Sequence, residues 1–309
     1  MLMKSIKVFS PASVSNVCCG FDVLGFAISG LGDIITVSSH NGSGIHLGNV
    51  TGYSIPNDLK YNTASVAAQS MLDFLNIKDG FIIDIEKNIK PGSGIGSSAA
   101  SSVGAVYALN KILGEPLKKE QLIKFAMQGE LISSKSAPAD NVASALYGGL
   151  VLVNNFDNYR VTNLPAPNDI YAVIHHPLLE MKTSESRSNL PKKVDLKTTS
   201  NQLSYIAEFV HSINNEDYEL MRKSLKDCLV EHCRVDSIPI FNQAKRISLE
   251  NSSLCYSISG SGPSCFSLIK EKTKAVNLKN IIDKIFVESK VKFNSYLTPL
   301  SSPGVHEIK

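Results

Sequence analysis

The residues whose types and spacing could do chemistry are concentrated between Pro91 and Asn110, in the run PGSGIGSSAASSVGAVYALN. Gly92, Gly94 and Gly96 release the backbone for positive φ and for close approach to a ligand. Ser97 and Ser98 follow where a helix should start, and the unpaired N–H groups and positive dipole end of a helix attract an anion. Three glycines alone would serve equally well to turn a corner. The serine pair, followed directly by the apolar Ala99, Ala100, Val103, Val106 and Leu109, favours a phosphate cradle, because a buried helix begins with hydroxyls at its mouth.

Two common phosphate motifs are excluded. A P-loop requires Gly-Lys-Ser/Thr after the turn, and no lysine lies between Pro91 and Asn110. A dinucleotide fingerprint wants an acidic residue at a strand end about 20 residues on. Glu115 is near that distance but belongs to a Gly-Glu-Pro turn.

Other candidates stand apart from this loop. Glu130 follows Ile123, Ala126 and Met127 at helical spacing, so a carboxylate occupies a stripe that should face inward. A buried carboxylate needs a cation or a wet edge. Beside a phosphate cradle the suitable cation is Mg²⁺, which prefers hard oxygens, and a hydroxyl from Ser98 with the carboxylate of Glu130 would suit it. Asn16 and Asp22 lie in a stretch otherwise free of charge, where Asp22 reads equally as a turn residue. Asn62, Asp140 and Asn141 stand at helix starts, where capping explains them as well as binding does. His175 and His176, beside Pro177 at a strand end, read as structural or exposed rather than catalytic.

The elements that must hold these residues follow from pattern. SIKVF is a strand, and SPASVSNVCCGFDVLGFAI is loop-like before it turns apolar. IITVSS is a strand, and the run from His40 to Asn57 reads as a surface excursion. A helix covers the stretch from Asn62 to Leu75, FIIDI is a strand, and the cradle thus joins a strand to a helix that stops at Gly114. Another helix runs from about Leu117 to Ser134, and a strand follows Gly148-Gly149. Composition turns to Asn, Pro and Asp between Asn154 and Asn168, so the domain boundary is set there, giving domains 1–168 and 169–309. The second half alternates strands (DIYAVIHH, CYSIS, CFSLI, KFNSYLT) with helices near 198–213, 216–231, 239–249 and 274–287, the pattern of an α/β-plait.

Length and composition fit two domains of a 309-residue globular chain. A net charge of +3 with scattered lysines leaves no nucleic-acid footprint. No apolar run reaches the roughly 20 residues of a membrane span, and the start is too short and polar for a secretory signal. The six cysteines read as reduced thiols of a cytoplasmic protein. Cys228, His232 and Cys233 match no common zinc spacing, in a segment that reads as helix.

Three stretches resemble one family. Pro91 to Ala100 is similar to the glycine-rich GLGSSAA signature of the GHMP small-molecule kinases, with Ile95 in place of Leu, and Ser259 to Pro263 is similar to their C-terminal SGSGP. The N-terminal SPASVSNVCCGFDVLGFAI, the DNVASAL run and SISGSGPSCFSL look most like the homoserine kinase branch. The resemblance implies an α+β fold of two domains, the first like ribosomal protein S5 domain 2 and the second ferredoxin-like, with the site between them. It implies ATP-dependent phosphorylation of the L-homoserine side-chain hydroxyl in threonine biosynthesis, with Mg²⁺, and a homodimer. On this resemblance Pro91, Gly92, Ser93, Gly94, Ile95, Gly96, Ser97 and Ser98 hold the nucleotide phosphates, and Asn62 contacts adenine. Ser98 and Glu130 bind the metal. Asn16, Asp22, Asn141, Arg187, Arg234 and Gly260 serve the amino-acid substrate, with Asn141, Asp140 and Arg187 nearest the chemistry. A carboxylate suits an ammonium, and arginines suit a carboxylate. Asp140 matches an aspartate used as base in some members, whereas homoserine kinases let the hydroxyl attack directly, which phosphoryl transfer permits. One departure is Pro138, where the usual motif has His before Ala-Asp-Asn. The alternatives are another GHMP kinase acting on mevalonate, shikimate or a sugar, and a non-catalytic ATP-binding paralogue. Paired arginines and Asp22 argue for an amino acid.

Overall fold

The structure, a computed structural model, describes residues 5–133, 138–179 and 190–309. Its first half is built on a long bent hairpin, β1 (Ser5–Val17) and β2 (Gly20–His40), antiparallel from Ser5↔Ser38 to Val17↔Gly20. The stretch expected to be loop-like is therefore strand. Its serines mislead because they are polar, yet Ser10, Ser13 and Ser15 are buried, where small side chains let α2 (Ser97–Ile112) and α4 (Asp140–Tyr147) lie against β1. Pro11 cannot donate to a ladder, and the register shifts between Pro11 and Ala12.

The run expected as a surface excursion contains β3 (Gly44–Gly52), parallel to β4 (Gly80–Lys87) and joined to it through α1 (Thr63–Leu75). Gly44, Gly48 and Gly52 hide the strand pattern there. The sheet runs β11 (His306–Glu307), β1, β2, β4, β3, with β5 (Leu150–Asn154) on β2 and β6 (Arg160–Leu164) on β5. Apolar residues of α1, α2, α3 (Lys119–Ser133) and α4 bury one of its faces.

The second half is a four-stranded antiparallel sheet in the order β10 (Phe293–Pro299), β7 (Ile170–Pro177), β9 (Cys265–Lys270), β8 (Cys255–Ile258). Taken in chain order this is 4-1-3-2, the ferredoxin-like arrangement. Among the described residues its helices are α5 (Leu196–Asn215), α6 (Tyr218–Ser224), α7 (Phe241–Glu250) and α8 (Lys272–Glu288). The helix expected over 216–231 ends at Ser224. Beyond it the Asp227 carboxylate accepts the N–H groups of Leu229, Val230 and Glu231, a local turn that competes with helix, and residues 231–237 form short 3₁₀ turns.

The two halves share a core. Ala12, Val14, Leu24, Phe26 and Leu150 of the first pack with Ile170, Ile174, Phe209, Phe266 and Leu268 of the second, and the rings of Phe26 and Phe266 meet edge to face at 5.7 Å. After β10 the chain returns to the first sheet, where Gly149 N–H donates to the Ser302 carbonyl, Val305 N–H to that of Ala145, and β11 (His306–Glu307) pairs with β1. Among the described residues no helix is long and apolar enough to cross a membrane.

Candidate active site

Several segments converge where the halves meet. The cradle between β4 and α2 carries Gly92, Gly94 and Gly96 at φ 70°, 77° and 69°. A Cβ on Gly94 would lie 2.5 Å from the Gly262 carbonyl oxygen, and one on Gly96 would lie 2.1 Å from Ser13 Oγ. These glycines thus serve close approach of backbone to backbone as well as the turn. Helix α2 starts from Gly96 with no side-chain cap, so its first N–H groups keep their anion-binding capacity.

The C-terminal glycine motif is locked to this loop. Ser259 Oγ donates to the Gly94 carbonyl at 2.7 Å, and Ser264 Oγ to that of Ser93 at 2.6 Å. On the other side Ser13 N–H donates to the Ile95 carbonyl at 3.1 Å. Ile95 itself points into the shared core, which is why Ile serves where the family signature has Leu.

The substrate candidates cluster beside these loops. The Gly260 carbonyl accepts from Asn16 Nδ2 at 3.0 Å and from Arg234 Nη1 at 2.7 Å. The buried Arg234 guanidinium also faces the Phe21 ring at 5.9 Å. Asn16 Oδ1 in turn accepts from Asp22 N–H at 2.8 Å, and both residues take positive φ. Asn141 Oδ1 accepts from Ser13 Oγ, and its Nδ2 donates to Ser15 Oγ at 2.9 Å. Asp140 is buried and accepts the N–H of Asn141 at 2.9 Å. Asn16, Asp22, Asn141, Arg234 and Gly260 are therefore brought into one hydrogen-bonded constellation with the cradle. Pro138 precedes it, and Ala139 N–H is held by Asn155 Oδ1 at 2.8 Å. Arg187 lies outside the described residues.

Glu130, on α3, is buried and hydrogen-bonded with Ser98. Burial pushes its carboxyl up to about 7, against the pull of the Ser98 bond and the Lys87 charge. A hydroxyl and a carboxylate side by side are a hard-oxygen donor pair that fits Mg²⁺.

One expectation changes. Ser97 does not leave its hydroxyl at the mouth, because Oγ donates to the Ile89 carbonyl at 2.9 Å, so this residue faces the cradle through its backbone. Asn62 is buried at the α1 N-cap, where Oδ1 accepts from Ser65 N–H at 3.1 Å and Nδ2 donates to the Pro56 carbonyl at 2.9 Å. Its amide shapes the 56–65 loop rather than joining the constellation. His175 and His176 are both buried, and His175 Nε2 lies 3.0 Å from Asp283 Oδ1 with its ring stacked on Phe286. Lys87 and Asp33, not among the residues singled out in the sequence, form a buried ion pair beneath the cradle. The available signals were a lysine ending an apolar strand and an aspartate opening another.

The profile of the GHMP kinases N-terminal domain matches residues 62–149, and that of the GHMP kinases C-terminal domain matches residues 209–288. The homoserine kinase of Chlorobaculum tepidum is 33% identical over 320 residues, covering 99% of each chain. That of Methanococcus maripaludis is 35% identical, covering 92% of this chain and 94% of the relative. The crystal structure of homoserine kinase from Cytophaga hutchinsonii superposes with a TM-score of 0.94 at 38% identity, covering 100% of this chain and 98% of that one. Mevalonate kinase of L. major shares the fold, with a TM-score of 0.73 at 16% identity over 97% and 98% of the two chains. An ATP-dependent small-molecule kinase is the class that fold and relatives define. The chain belongs to the GHMP kinase family.

Proposed function

We propose that this chain is a homoserine kinase, transferring the γ-phosphoryl group of ATP to the side-chain hydroxyl of L-homoserine. The observation that carries the reading is the convergence on the Gly260 carbonyl. Asn16, 244 residues away in sequence, and Arg234 both donate to it, beside a loop stitched to the nucleotide cradle. Full-length relatives of that name support the same substrate.

In this reading the backbone of Pro91, Gly92, Ser93, Gly94, Ile95, Gly96, Ser97 and Ser98 wraps the phosphates of ATP. Ser98 and Glu130 would hold Mg²⁺, which supplies charge neutralisation along the phosphate chain when bound. Asp22 takes the substrate ammonium, and Arg234 with Arg187 takes its carboxylate by charge-assisted hydrogen bonds. Asn16 and Asn141 fix the carbon chain so that its hydroxyl meets the phosphate in line. Asp140 is buried and engaged by the Asn141 N–H, so direct attack by the hydroxyl is the preferred route, with positioning providing most of the rate. Residues 1–168 and 169–309 contribute the two walls of this site, and a cytoplasmic homodimer is the working form. A coupled ADP-release assay over L-homoserine, mevalonate, shikimate and galactose tests the reading, which requires L-homoserine to exceed the others clearly.

A further inference from the structure

Lys87 ends β4 directly below the cradle and is 2% exposed. Its ammonium donates to the Asp33 carboxylate, to the Ser97 carbonyl at 2.6 Å and to Ser101 Oγ at 3.0 Å. Asp33, fully buried on β2, also accepts from Ser101 Oγ at 2.8 Å, from Asn88 N–H at 3.0 Å and from Ile89 N–H at 3.2 Å. The pair therefore grips both ends of the glycine turn: the chain entering it at Asn88 and Ile89, and the first turn of α2 leaving it at Ser97 and Ser101.

Two features make this more than a core ion pair. Helix α2 has no side-chain cap at Gly96, so the usual device for fixing a helix start is missing where the phosphate-facing N–H groups must be held. A lysine at the N-terminal end of a helix also opposes the macrodipole, a placement that stability alone disfavours. Asp33 balances the charge, leaving position as what Lys87 contributes.

We propose that Lys87, with Asp33, is the positioning residue of the nucleotide cradle, holding the first turn of α2 so that its N–H groups and the Ser98 hydroxyl meet the phosphates and metal. The inference rests on reading residues 91–98 as that cradle. It gives Lys87 no contact with substrate. Its effect falls on nucleotide affinity and leaves amino-acid affinity alone.

The test is calorimetric titration of MgADP into the wild type, Lys87→Met and Ser101→Ala, each at a temperature where circular dichroism shows it folded. KM for ATP and for L-homoserine is measured in parallel. The MgADP dissociation constant should rise on the order of tenfold or more in Lys87→Met, and by a smaller factor in Ser101→Ala, which uncovers no charge. KM for ATP should follow, with KM for L-homoserine within about twofold of wild type. A lowered melting temperature with unchanged MgADP affinity in both variants would overturn the inference and leave a purely structural ion pair. Should Lys87→Met not fold, unchanged MgADP affinity in Ser101→Ala overturns it alone. Wild-type protein that binds MgADP without turning over L-homoserine would contradict the proposed substrate while leaving this comparison intact. Failure of the wild type to bind MgADP would remove the cradle and the inference together.

Discussion

Ser259 donates its hydroxyl to the Gly94 carbonyl at 2.7 Å, so the glycine motif of the second half is tied to the cradle of the first. Gly94 allows this contact by having no Cβ, since one would stand 2.5 Å from the Gly262 carbonyl oxygen. In the proposed function the nucleotide site and the substrate site are consequently set by one another.

Gly94→Ala should part these loops. The residue sits at φ 77°, so a side chain adds backbone strain to the clash, about 1–3 kcal/mol. Steady-state kinetics should show kcat/KM for both ATP and L-homoserine falling on the order of a hundredfold or more. Loss confined to ATP would show that the two loops act separately.

Glu130 gives a pH signature. Its carboxyl is raised by burial from 4.5 to about 7, so the folded chain holds a proton there that the unfolded chain has released. Its contribution to stability therefore falls as pH rises from about 4.5 to 7. Metal binding in the proposed site needs the carboxylate, so the Mg²⁺ concentration for half-maximal rate should fall as pH is raised from about 6 to 8, by at most about tenfold per unit. Glu130→Gln should lose most of the rate and flatten this dependence, without lowering the melting temperature at alkaline pH.

Arg234→Ala removes a charge-assisted bond to Gly260 and the cation proposed to meet the substrate carboxylate. A loss of about 1.5–3 kcal/mol corresponds to a rise in KM for L-homoserine of roughly tenfold to more than a hundredfold. KM for ATP should change little. Unaltered L-homoserine kinetics would mean that the pocket lies elsewhere.

The thiols should separate by burial. Cys18, Cys19, Cys255 and Cys265 are buried, and burial pushes the Cys265 thiol up to about 12. For Cys18 a bond to Cys255 and burial also raise the thiol well above its ordinary value. Cys228 and Cys233 are both half-buried, and burial raises the Cys228 thiol, whose sulfur lies 3.0 Å from Gln202 Oε1. Titration with a disulfide reagent should modify Cys228 and Cys233 first in native protein and all six thiols after denaturation.

Much of the cradle was legible in sequence because strand, glycine turn and helix start are consecutive, and each leaves a local mark. The hairpin that carries Asn16 and Asp22 was not, because its buried serines mimic a loop. The helix beyond Ser224 was overextended because a single Asp227 side chain can replace helical hydrogen bonds with a turn. Convergence of Asn16, Asn141, Arg234 and Gly260 has no periodicity to betray it, and only resemblance to a family suggested it. Lys87 and Asp33 went unnoticed for a related reason: 54 residues separate them, and neither strand pattern predicts that its charged residue turns inward. Asn62 illustrates the reverse, a position where capping, the ordinary explanation of an Asn at a helix start, accounts for the hydrogen bonds its amide makes.

The most direct measurement is ADP release by the purified chain with ATP, Mg²⁺ and L-homoserine, alongside the other alcohols, with the phosphorylated product identified by ³¹P NMR. Turnover of L-homoserine well above every other alcohol, yielding O-phospho-L-homoserine, is the predicted result. Preferential turnover of another alcohol, or no turnover of any, would contradict it.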